Sequence, residues 1–141
     1  MKVRVKAVLF DFGDTLVSFE SFDYEASLTA LHQTLVENGV VVPYEKFKRT
    51  YFKVRDQLYR EGDSSLKEVN FLVRASRVLN ELGFNLNPTD PKIINSVEAF
   101  MHPLIKSLKL EEQVPMVLQE LKKKYKLGLV SNFAYPSSLM P

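Results

Sequence analysis

Two short apolar runs, with helical periodicity filling the chain between them, restrict what this sequence can become more than any other feature. The first run, Val8-Leu9-Phe10, extends an alternating stretch from Val3 and stops at Asp11-Phe-Gly-Asp-Thr15, a cluster of turn-forming residues. The second, Lys126-Leu-Gly-Leu-Val130, stops at Ser131-Asn132. Both predict strands of a sheet buried on both faces. A strand, a helical excursion, a helix and a second strand describe a βαβ crossover, so the strands are expected to be parallel neighbours. Ligands of such sheets gather beyond the carboxyl ends of the strands. Asp11 and Ser131-Asn132 should therefore face one crevice.

The intervening residues carry the helix period. Tyr24, Leu28, Leu31 and Leu35 mark one amphipathic helix that stops at Gly39. A second follows Pro43, with Phe47, Tyr51, Val54 and Leu58 on one stripe and Gly62 closing it. A third is predicted from the capping-box spacing Ser65-Leu-Lys-Glu68, carrying Val69, Val73 and Leu79 towards Gly83. A fourth bears Ile93, Ile94, Val97, Phe100 and Met101, with His102-Pro103 ending it. These four read as an all-helical insert over residues 16–105. Val114, Leu118, Leu121 and Tyr125 predict a further helix before the second strand. The fold class is thus α/β, with a discontinuous core from 1–15 and 106–141 and a four-helix insert after the first strand.

Composition narrows the function classes. The 141 residues are 45% hydrophobic and 26% charged, ordinary globular usage. Lys+Arg 19 against Asp+Glu 17 is too balanced for a protein that coats phosphate backbones, so no nucleic-acid partner is expected. With Cys 0, thiol nucleophiles and cysteine-ligated zinc drop out. No run of about 18 apolar residues occurs, which argues against a membrane span, and the first apolar run is too short for a signal peptide. A soluble, cytoplasmic protein is the expectation.

An aspartate at a strand end can serve as nucleophile, metal ligand or phosphate neighbour, or simply cap a turn. A hydroxyl and an amide facing that carboxylate across parallel strands could hold phosphate oxygens while the carboxylate attacks phosphorus. Val8-Leu-Phe-Asp11-Phe-Gly-Asp-Thr15-Leu16 resembles the first motif of the haloacid dehalogenase-like (HAD) hydrolases, and Leu127-Gly-Leu-Val-Ser131-Asn132 resembles their second. The segment between them has the size and place of that family's helical cap. The resemblance implies a Rossmann-like parallel-sheet core and a Mg²⁺-dependent hydrolase, most often a phosphatase of small phosphorylated metabolites, working through an aspartyl-phosphate. By it, Asp11 would attack and touch the metal, the Gly13 carbonyl would be a second metal ligand, and Ser131 with Asn132 would hold the phosphoryl group.

The chain departs from the family pattern at two places. Family phosphatases carry a second aspartate, the general acid and base, two places after the nucleophile. Here that position is Gly13, and Asp14 is either its substitute or a turn cap. Lacking a positioned acid costs about 10²–10⁴ in rate, most for alkyl phosphates and least for aryl or acyl phosphates. In addition, residues 133–141 hold neither the lysine nor the acid of the family's later motifs. The expectation is an incomplete core with impaired activity, either the N-terminal piece of a longer enzyme or a homodimer joined through exposed sheet edges. Two other readings stay open: a 2-haloacid dehalogenase, disfavoured because no arginine occurs between Arg4 and Arg49, and a non-catalytic partner-binding module.

Overall fold

Asp23 opens the helical part of the chain: its carboxylate accepts the Ala26 amide at 3.0 Å and so caps α1 (Tyr24–Glu37). In the computed structural model, which describes residues 4–65 and 70–132 (the side chains of 63–65 excepted), three more helices follow it. They are α2 (Tyr44–Ser65), α3 (Phe71–Glu81) and α4 (Pro91–Lys106). Asp23–Ile105 forms one compact unit; of the described residues, 4–22 and 106–132 form a second.

Within the helical unit, the spacing of apolar residues decides what is buried. Leu28, Leu31 and Leu35 of α1 lie three and four apart and are buried, as are Phe47, Tyr51, Val54 and Leu58 of α2. Ile93, Val97, Phe100 and Met101 complete the same core from α4. Phe100 sits at its centre, 5.5 Å from the Tyr24 ring, 5.4 Å from Phe71 and 6.2 Å from Tyr51. Residues from all four helices thus meet around one ring, and each such side chain contributes about 1.5–3 kcal/mol by leaving water. Gly39 (φ +82°) and Gly83 (φ +93°) reverse the chain after α1 and α3 in the left-handed conformation that other residues resist. His32 is half-buried, with Nε2 2.7 Å from the Val42 carbonyl oxygen.

Three helix boundaries differ from the sequence expectation. Helix α2 runs through Gly62 to Ser65, because a glycine costs a helix interior only about 1 kcal/mol when no left-handed turn is required. Ser65 therefore ends α2; Leu66, Lys67, Glu68 and Val69 lie outside the described residues, and Asn70 caps α3 by accepting the Leu72 amide at 2.7 Å. Helix α4 passes through His102-Pro103 to Lys106. With so little helix left beyond it, Pro103 deprives the helix of a single donor, the one the Ala99 carbonyl would have received.

Among the described residues the second unit holds four strands: β1 (Ala7–Phe10), β2 (Val17–Phe19), β3 (Leu108–Leu110) and β4 (Lys126–Leu129), with α5 (Val114–Lys122) before the last. Strands β1 and β4 pair in parallel, Ala7 opposite Lys126 through Phe10 opposite Leu129. The crossover reading of the sequence gives this pairing. Burial on both faces is not found: Leu9 is 67% exposed, Leu129 and Val130 are exposed, and α5 buries none of its residues. Two strands and one nine-residue helix are too few to cover both faces. Residues 17–19, expected within the helical insert, instead pair antiparallel with 108–110 as β2 and β3. Three-residue strands are shorter than any period can reveal, and Tyr125, expected in α5, follows that helix with its amide on the Leu121 carbonyl at 2.9 Å.

Candidate functional site

The parallel register brings the two candidate motifs to the same end of one sheet. Beyond the Phe10–Leu129 pair, the Val130 amide donates to the Phe10 carbonyl at 2.8 Å, so pairing continues one step past the strands. Asp11 thus leaves β1 where Ser131 and Asn132 leave β4, on strands about 4.8 Å apart. All three side chains are exposed. The register therefore brings Asp11, Ser131 and Asn132 to the same end of the sheet.

After Asp11 the chain doubles back at once. The Phe12 carbonyl accepts the amides of Leu16 (2.9 Å) and Val17 (3.2 Å), and the Asp14 amide donates to the Val17 carbonyl at 2.7 Å. Asp14 takes the left-handed conformation, φ 57°, which aspartate tolerates better than most residues. Its side chain is exposed at the turn. Gly13 forms an isolated bridge with Val17. Its backbone is not left-handed; space is what limits it, since a Cβ there would stand 3.1 Å from Cε2 of Phe19. The Phe19 ring, on β2, thus presses on the position where a second acid would project. Phe19 thus packs against Gly13.

Sequence reasoning missed the clasp that closes this turn. Strand β2 pairs with β3, the Glu20 amide donates to Ser107 at 2.8 Å, and the Glu111 amide reaches the Leu16 carbonyl at 3.3 Å. Lys109 Nζ then meets Glu20 Oε1 at 2.8 Å, a contact that raises the ammonium's pKa through its hydrogen bond to Glu20. The only available signal was the apolar alternation Val17-Ser-Phe19 matched by Leu108-Lys-Leu110.

The metal implied by the resemblance finds an incomplete donor set. Among the described residues no three His, Cys, Asp or Glu side chains converge. Asp11 and the Gly13 carbonyl offer two hard oxygens of the six that Mg²⁺ takes. These residues do not fit a resident ion.

No protein-family model matches the chain, and no curated protein matches it. Among solved structures it is similar to YfnB from Bacillus subtilis, assigned as a HAD-hydrolase and crystallised bound to magnesium. The two are 19% identical with a TM-score of 0.43, over 92% of this chain and 53% of that one. The chain thus spans about half the length of that protein.

Proposed function

We propose that this chain is a HAD-like hydrolase whose Asp11 is a nucleophile toward a small phosphate ester or, better, an acyl phosphate. The observation that carries the reading is the β1–β4 register, which sets Asp11 beside Ser131 and Asn132 at the carboxyl ends of parallel strands. In this role an Asp11 oxygen forms a bond to phosphorus as the bond to the leaving oxygen breaks. The Ser131 hydroxyl and Asn132 amide orient the phosphoryl oxygens. Acyl phosphates are favoured because their leaving carboxylate needs no proton, and Gly13 provides none. Asp14 serves the turn rather than the proton transfer, given its exposed, left-handed position. Activity is low in this chain, since a carboxylate approaching a charged phosphoryl group needs a cation that the described residues do not fix in place.

The test is incubation with acetyl phosphate followed by mass spectrometry of the Asp11 peptide. A phosphoryl adduct on Asp11, absent from Asp11→Asn, is expected. An unmodified Asp11 peptide, or an adduct that persists in Asp11→Asn, overturns the reading. A second reading, a partner-binding module, is favoured by one observation, the exposed apolar residues Leu9, Leu129 and Val130 on β1, β4 and the residue after it. It predicts no adduct and a mass in solution that rises with concentration.

A further inference from the structure

At the opposite end of the same sheet lies a groove of about 550 Å³ whose lining is almost wholly cationic. Arg4 and Lys6 approach from the start of β1; Lys122, Lys123, Lys124 and Lys126 come from the end of α5 and the start of β4. The Lys126 amide donates to the Lys6 carbonyl at 3.1 Å, which holds the two halves of the groove side by side. Lys123 pairs with Glu120, but no carboxylate lines the groove. Among the described residues, the other five cations form no ion pair.

A helix C-terminus attracts lysines by its dipole, and that accounts for Lys122, Lys123 and Lys124. It does not account for Arg4, Lys6 and Lys126, which reach the groove along strands. Nor is the chain basic in general, since its formal net charge is only +2. Six cations gathered on one open patch repel each other, a cost that a bound polyanion would reverse.

We propose that this groove binds a small oligophosphate, an anion carrying two or more linked phosphates. The ligand class follows from size and shape. A single phosphate would meet only two or three of six cations, whereas a linked chain can reach along more of the patch. A duplex or a membrane would engage a broad basic surface, whereas these cations are confined to residues 4–6 and 122–126. The half-buried Tyr125 lines the same groove and gives it an apolar wall. The site is separate from the Asp11 end of the sheet, about 15–20 Å away by strand length, and its occupancy does not depend on hydrolysis.

Calorimetric titration of the 141-residue chain with sodium tripolyphosphate tests this. Saturable one-to-one binding is expected, tighter than for orthophosphate, with log affinity falling linearly against log salt. Lys6→Glu with Lys126→Glu should weaken it by at least about tenfold, since a charged hydrogen bond is worth about 1.5–3 kcal/mol. Lys46→Glu with Arg49→Glu, an equal charge change on exposed residues of α2, should alter it less than about twofold by comparison. Amide chemical-shift changes confined to residues 4–6 and 122–126 would support the site in the unmutated chain. Equal loss in both double variants, shifts spread over the chain, or binding to RNA or anionic vesicles but not to tripolyphosphate overturns the proposal.

Discussion

The helical unit and the α/β unit hold their apolar residues in opposite ways. The main core, from Leu28 to Met101, lies wholly in the helical unit, while Val17 is the one buried apolar residue of the α/β unit among those described. Helices bring their own solution to burial: four amphipathic stripes can face a common centre, and Phe100 with its aromatic neighbours shows them doing so. A two-stranded sheet has two faces and one covering helix, so Leu9, Leu129 and Val130 remain in water. The candidate chemistry sits on the poorly covered unit. Stability and chemistry are therefore carried by different stretches of the chain.

That contrast can be broken most directly by paired truncations. Phe100→Ala should cost about 3–5 kcal/mol in urea unfolding followed by far-UV circular dichroism, whereas Leu9→Ala should cost less than about 1 kcal/mol. Equal costs would mean that the α/β unit has a core of its own. Alkaline pH sharpens the same contrast. Burial pushes the Tyr51 hydroxyl well above its ordinary value, with the neighbouring Tyr24 adding to the rise. The unfolded chain ionises this group near pH 10 while the fold keeps it protonated, so its stabilisation is full below about pH 10 and is lost as pH rises further. Unfolding midpoints at about pH 9 and about pH 11 should therefore differ less in Tyr51→Phe than in the parent.

Two glycine substitutions probe the α/β unit at finer scale. A Cβ at Gly13 meets the Phe19 ring at 3.1 Å, so Gly13→Ala should destabilise by about 1 kcal/mol, relieved when combined with Phe19→Leu. Additive effects would show that the ring is free to move aside. A Cβ at Gly128 meets Cδ2 of Leu9 at 2.7 Å, a closer approach, yet Leu9 is exposed and can swing into solvent. Gly128→Ala should thus lie within about 0.5 kcal/mol of the parent, and a larger loss would show that Leu9 is held in place.

Periodicity made the helical unit legible: the stripe from Phe47 to Leu58 and the pair Val97 and Phe100 name the core directly. What it could not show was where helices stop. Gly62 and Pro103 are strong breakers locally, yet α2 and α4 continue past both, because the glycine costs only about 1 kcal/mol and the proline, near its helix end, removes a single donor. In the α/β unit the parallel pairing was legible because both apolar runs end at polar turns. The β2–β3 clasp was not, since three-residue strands carry too little pattern and their partners lie far apart in sequence. Of the candidate site, Asp11, Ser131 and Asn132 were readable as strand ends. The pressure of Phe19 on Gly13 depends on a fold-back that no spacing encodes.

The parallel partners β1 and β4 also set an order of events during synthesis. A ribosome releases Ala7–Phe10 long before Lys126–Leu129, with every helix of Asp23–Ile105 emerging in the interval. The helices can collapse on local contacts as they appear, whereas β1 must wait as an apolar edge until β4 emerges. Arg4 and Lys6 beside it then act as gatekeepers for the nascent strand, their charge discouraging it from joining a stranger's sheet.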